Sequence, residues 1–110
     1  MSHVRCVVQA GGNADTRRHE LEPRLLANHR LQYPGEDLAF AWIPIPAGHM
    51  FTEGAPSTSS IVSSFLDHTT TLETRERYLR GVCDIWTEVT ECTDHEVVVT
   101  VTEPDTANQE

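Results

Sequence analysis

Short apolar runs and longer charged stretches alternate along this chain, and the two kinds of segment have different periods. Ser60-Ile61-Val62-Ser63-Ser64-Phe65-Leu66 and Val97-Val98-Val99-Thr100-Val101 are short and rich in β-branched residues, as buried strands are. Between them, from Glu73 to Thr90, Leu79, Val82, Trp86 and Val89 recur at spacings of three and four, the stripe of an amphipathic helix. Strand, helix, strand is one β-α-β crossover, so its two strands are expected to be parallel and adjacent.

The first half repeats that order. His3-Val4-Arg5-Cys6-Val7-Val8 predicts a strand that Gly11-Gly12-Asn13 breaks, with Asp15 or Asn13 placed to cap a helix. Leu21, Leu25 and His29 then share one helical face, flanked by Leu26. Pro23 has no N–H and crowds the turn before it, so the helix either starts near Glu22 or kinks at Pro23. Tyr33-Pro34-Gly35 ends the helix, and Leu38 to Ile45 predicts a strand whose Pro44 and Pro46 mark an edge. The organisation is therefore a single domain over residues 1–104. One β-α-β unit covers 2–46, a Gly-, Pro- and Ser-rich connector 47–59 and a second unit 60–104, before a polar tail at 105–110.

The fold class is α+β: tandem β-α-β units forming a four-stranded mixed sheet with two helices on one face. Trp42, Ile43 and the run from Val97 to Val101 carry apolar side chains at both strand parities. The second face then needs cover as well, and further copies of the chain in a symmetric homo-oligomer supply it.

Charge and composition narrow the function classes. Eight Lys+Arg against 17 Asp+Glu give a net charge of −9, which opposes binding to nucleic acid or to an anionic membrane. Cys6, Cys83 and Cys92 form neither a C-x-x-C nor an even set, and Cys6 and Cys83 are expected as free buried thiols. No apolar run approaches membrane-spanning length and no signal-type segment opens the chain, a pattern expected of a cytoplasmic protein. The six histidines show no H-x-x-x-H spacing, so no metal site is indicated. Ser57-Thr58-Ser59-Ser60 lacks the context of a nucleophile elbow. Arg17, Arg18, Arg75, Arg77 and Arg80 stand among acids and read as solvated helix faces. Arg5, on the strand face of His3 and Val7, could supply a cation if that face is internal.

Three segments carry a resemblance. Ala27-Asn28-His29-Arg30 ends the first helix, Ile45-Pro46-Ala47-Gly48-His49-Met50-Phe51 precedes a glycine, and Val99-Thr100-Val101-Thr102-Glu103 closes the last strand. In this order the chain resembles the tautomerase superfamily, and within it the cis-3-chloroacrylic acid dehalogenase group, from Ser2 to about Pro104. The resemblance implies tandem β-α-β subunits assembled as a barrel-like homotrimer. It also implies cofactor-free proton transfer on a small enol or unsaturated carboxylate by an N-terminal proline amine of depressed pKa. Ser2 stands where that proline would be, and after removal of Met1 it would offer a primary amine. By the same resemblance His29 matches a histidine that binds the substrate carboxylate or positions water. His68 and Thr71 fall where two carboxylate-binding arginines would lie, which removes a bidentate anchor. Thr100 stands near an active-site tyrosine, Phe51 belongs to the glycine-flanked motif, and Glu110 lies nearest the water-activating glutamate. Residue chemistry alone gives Thr70 or Thr71 a second role, as cap of the following helix.

Three function classes remain open: a tautomerase-type enzyme of weak or altered activity using Ser2 and His29, a catalytically inactive small-molecule-binding trimer, and an interaction protein using its acidic surface.

Overall fold

The computed structural model describes residues 1–104. Strand β1 (Ser2–Gln9) leads through a one-turn helix α1 (Asn13–Thr16) into α2 (Arg18–Gln32) and β2 (Leu38–Ile45). A hairpin of β3 (Phe51–Thr52) and β4 (Ala55–Pro56) follows, then β5 (Ser60–Phe65), α3 (Leu72–Thr90), a 3-10 turn (Asp94–Glu96) and β6 (Val97–Thr102). The main sheet has the order β2-β1-β5-β6, with β1–β2 and β5–β6 parallel and the central β1–β5 pair antiparallel. Each parallel pair is one β-α-β unit, so the two units meet along β1 and β5. This is the α+β fold expected from the pattern, and β2 is the expected edge.

Strand alternation divides the sheet into two faces. Val4, Cys6 and Val8 of β1 and Val62 of β5 are buried beneath Leu21 and Leu25 of α2 and Tyr78, Val82, Trp86 and Val89 of α3. Trp42 stacks on Trp86 with ring centroids 6.0 Å apart, and its indole N–H donates to Glu22 Oε2. Helix α3 approaches α2 closely at Gly81, where a Cβ would sit 2.2 Å from Asn28 Oδ1. Among the described residues no helix covers the opposite face. Ile43, Ile61 and Val98 are 38%, 39% and 52% exposed there, the unpartnered apolar surface anticipated for that side. Arg5 lies on this face with its guanidinium 5.2 Å from the Phe65 ring centroid, while His3 stacks on the same ring at 4.7 Å.

Four local expectations change. Helix α2 begins at Arg18, upstream of Glu22, and Pro23 lies inside it; the proline removes the bond that His19 C=O would accept, at an exposed position where water can replace it. The connector holds the β3–β4 hairpin, whose two-residue turn Glu53-Gly54 takes the left-handed conformation at both positions (φ 52° and 79°), the twist such hairpins require. Arg75 is not simply a solvated helix-face charge, since it pairs with the buried Glu103. Cys6 is buried, whereas Cys83 and Cys92 are partly exposed.

Candidate functional site

The N-terminal end of β1 meets four other segments. The parallel partner β2 puts the loop before Leu38 beside Ser2, and the antiparallel partner β5 ends there, turning through Asp67 and His68 into α3. The last turns of α2 descend on the same point with His29 and Tyr33. Thr71 caps α3 by accepting from the Thr74 N–H at 3.2 Å.

At the centre of this junction is a carboxylate. Glu36 Oε1 lies 3.0 Å from His29 Nε2 and Oε2 lies 3.0 Å from His68 Nδ1, so one side chain bridges two imidazoles. The Ser2 hydroxyl donates to Glu36 Oε1 at 3.3 Å and accepts the Asp67 N–H at 3.1 Å. His29 and Ser2 are fully buried, while His68 is 40% exposed and forms the mouth of the group. With Glu36 accepting, His29 Nε2 carries a proton, and Nδ1 lies 3.3 Å from the Tyr78 hydroxyl. Tyr78 in turn donates to Ser64 Oγ at 3.3 Å. Burial pushes the Tyr78 phenol up to about 12, so it stays a neutral hydrogen-bonding group at neutral pH. Tyr33 packs against both imidazoles, with centroids 5.0 Å from His29 and 4.9 Å from His68. Its own hydroxyl is buried beside Thr70, and burial raises its pKa.

A second anionic knot lies beside the first. Glu103, 2% exposed, accepts from Thr70 N–H (2.5 Å) and Thr70 Oγ–H (2.9 Å) through Oε2, and pairs with Arg75 Nη1 through Oε1. Burial pushes its carboxyl up, but the Thr70 and Arg75 hydrogen bonds together outweigh burial and hold it below the usual range.

The structure thus brings together Ser2, His29 and His68. Thr71 lies on the adjoining turn with its hydroxyl engaged in capping. Thr100 is exposed on the helix-free sheet face, paired in register with Ser63, and Phe51 is 59% exposed in the hairpin. Glu110 lies outside the described residues. The Met1 ammonium, half-exposed, pairs with Asp67 Oδ2 at 2.6 Å. In this chain Ser2 therefore contributes a hydroxyl and a peptide N–H, the free amine belonging to Met1. Sequence reasoning missed Glu36, Tyr78 and Glu103. Among the described residues no cluster of three or more His, Cys, Asp or Glu has metal-binding geometry, and no helix is long and apolar enough to cross a membrane.

Chemically, the arrangement can hold a carboxylate between two imidazoles.

No family model and no curated protein matches the chain. Solved structures do. Native Ps01740 superimposes with a TM-score of 0.85 at 22% identity, covering 98% of this chain and 99% of its own. N1, a member of the cis-3-chloroacrylic acid dehalogenase family, gives 0.83 at 18%, covering 92% and 73%. The fused 4-OT called Q0, a symmetric trimer, gives 0.81 at 10%, covering 92% and 84%. At such identities the likeness is one of fold, and the tandem β-α-β chain described above has the tautomerase fold that these structures share.

Proposed function

We propose that this chain binds a small enol or unsaturated carboxylate at the N-terminal end of β1 and transfers a proton on it without a cofactor. The observation that carries this reading is the Glu36 carboxylate, held at 3.0 Å by both His29 and His68. Two imidazoles that grip one carboxylate can grip another, and a substrate carboxylate would replace Glu36 there. Removal of Met1 would leave the Ser2 amine at the same junction. That amine would accept the enol O–H proton and return a proton to the adjacent carbon, so that the C=C bond becomes C–H and the enol becomes a ketone. Activity is expected to be weak, because a primary amine replaces the proline amine of the related group and His68 and Thr71 stand where its arginines would lie. A homotrimer fits the exposed apolar sheet face, and the fused 4-OT trimer with the same fold supports it.

A second reading, a binding trimer without turnover, is favoured by a different observation. Met1 displaces the free amine outward onto Asp67, and Glu36 fills the carboxylate position.

The test of the binding half is a calorimetric titration with cis-3-chloroacrylate into wild type, His68→Ala and Glu36→Ala. His68 is partly exposed, so its alanine variant should fold, and it should bind at least about fivefold more weakly, the worth of one hydrogen bond. Glu36→Ala removes the internal competitor and should bind more tightly. Weaker binding by Glu36→Ala with no change in His68→Ala would show that the cluster is structural.

A further inference from the structure

The two β-α-β units are built alike, and the start of β5 is the counterpart of the start of β1. Ser2 pairs in register with Leu38, Ser60 with Val97, and both serines point beneath the helices. Because β1 and β5 are antiparallel, these starts lie at opposite ends of the sheet. The loop before β2 supplies Glu36 to Ser2, and the turn before β6 supplies Glu96 near Ser60.

The two ends differ in what fills them. The Ser2 hydroxyl is bonded to Glu36 and to Asp67 N–H. Ser60 is only 4% exposed, yet its hydroxyl has no hydrogen-bond partner among the described residues. It lines a cleft of about 320 Å³ between the β1–α1 turn and the end of α3. That is room for about ten waters at ~30 Å³ each, or for one small organic molecule.

The cleft's electrostatics are one-sided. Glu91 and Glu96 are its charged lining groups, with no Lys, Arg or His among them. The Thr93 N–H and hydroxyl hold the Glu96 carboxyl below its ordinary range, so it is anionic at neutral pH. Helix α3 ends here and adds the negative end of its dipole. The neighbouring Arg17 is engaged by Val89 C=O at 2.7 Å and faces Glu91 at 3.9 Å. Asn13 donates its amide N–H to Thr90 C=O at 3.0 Å, which leaves its own carbonyl oxygen as an acceptor. Hydroxyl, amide oxygen and carboxylates are all acceptors, and they call for a ligand rich in N–H donors and positive charge.

We propose that this cleft is a second binding site, distinct from the Ser2 end, for a small organic cation bearing a primary ammonium group, with Ser60, Asn13 and Glu96 as acceptors. The proposal is independent of any activity at Ser2.

The test is a ¹H–¹⁵N spectral titration of the full chain with 1,4-diaminobutane, run beside 1,4-butanediol and succinate as neutral and anionic counterparts. Saturable shifts of the Ser60, Asn13 and Cys92 amides with the diamine alone are expected. Ser60→Ala and Glu96→Gln, both conservative for folding, should each weaken that binding about fivefold, the worth of one hydrogen bond. The site is refuted if the diamine produces no saturable shift, if the diol binds equally well, if the shifts fall on His29 and His68 instead, or if both variants bind as wild type does.

Discussion

Replacing Glu103 by glutamine tests how the candidate site is held together. Glu103 ties the end of β6 to the start of α3 through Thr70 and Arg75, beside the turn that carries His68. Glutamine keeps the shape but offers one acceptor and one amino group, so it turns a donor towards either Thr70 or Arg75. Downgrading the charge-assisted bonds at Thr70 to neutral ones costs about 1 kcal/mol. Losing the ion pair adds about 1–2 kcal/mol. This is less than for a fully buried pair, because the Arg75 side chain is 30% exposed and can rehydrate. The total is roughly 2–3 kcal/mol, which at an m-value of about 1.5 kcal/mol/M lowers the urea midpoint by roughly 1.5–2 M. The pH dependence has a definite sign. A carboxyl whose folded pKa is depressed stabilises fully above its unfolded value of about 4.3, and that contribution is lost as pH falls through the folded value. The difference between wild type and Glu103→Gln should therefore be constant from neutral pH down to about pH 5 and shrink below about pH 4. Urea unfolding at fixed protein concentration measures both. A difference under about 0.5 kcal/mol at pH 7, or one that does not change in acid, would refute the reasoning.

Two further perturbations report on the helices and the core. Gly81→Ala improves helix propensity by about 0.8–1 kcal/mol but drives Asn28 off its bond to Tyr78 C=O, and overpacking costs about 1–3 kcal/mol. Net destabilisation in thermal unfolding is expected, and a higher Tm would show that Asn28 yields freely. Burial pushes the Cys6 thiol up to about 12, so under native conditions at pH 8 iodoacetamide should label Cys92 and leave Cys6 intact until denaturant is added. Labelling of native Cys6 at the rate of Cys92, read by peptide mass, would contradict its burial.

Much of this architecture was legible because it is local. Periodicity placed both β-α-β units, and the apolar residues at both parities in Trp42-Ile43 and Val97 to Val101 signalled an apolar second face, where Ile43 and Val98 are exposed. The helix stripe was read one step aside, since Tyr78 and Ile85 are buried where Leu79 is only partly so. Pro23 left two helix starts open, and the structure takes the one with Pro23 inside the helix, where a missing hydrogen bond at an exposed turn is cheaply replaced by water. The Glu53-Gly54 turn carried a hairpin signal that lay hidden in a connector without flanking alternation. His29 and His68 could be named from a resemblance, but Glu36 could not. It follows a Pro-Gly turn, and only the parallel pairing of β1 with β2 and the antiparallel pairing of β1 with β5 bring it between them. Glu103 was hidden for the same reason, because its partners stand 28 and 33 residues away in sequence.

The most direct test of proton transfer at the β1 terminus is a turnover assay with an aryl enolpyruvate. It compares wild type freed of Met1 with a Ser2→Pro variant, each N-terminus verified by intact mass. The account predicts slow ketonisation by wild type, a clear gain on installing proline, and loss of both when His29 is replaced by glutamine in folded protein. No turnover by either N-terminus, in protein shown to bind cis-3-chloroacrylate, would contradict proton transfer and leave the chain a small-molecule-binding protein.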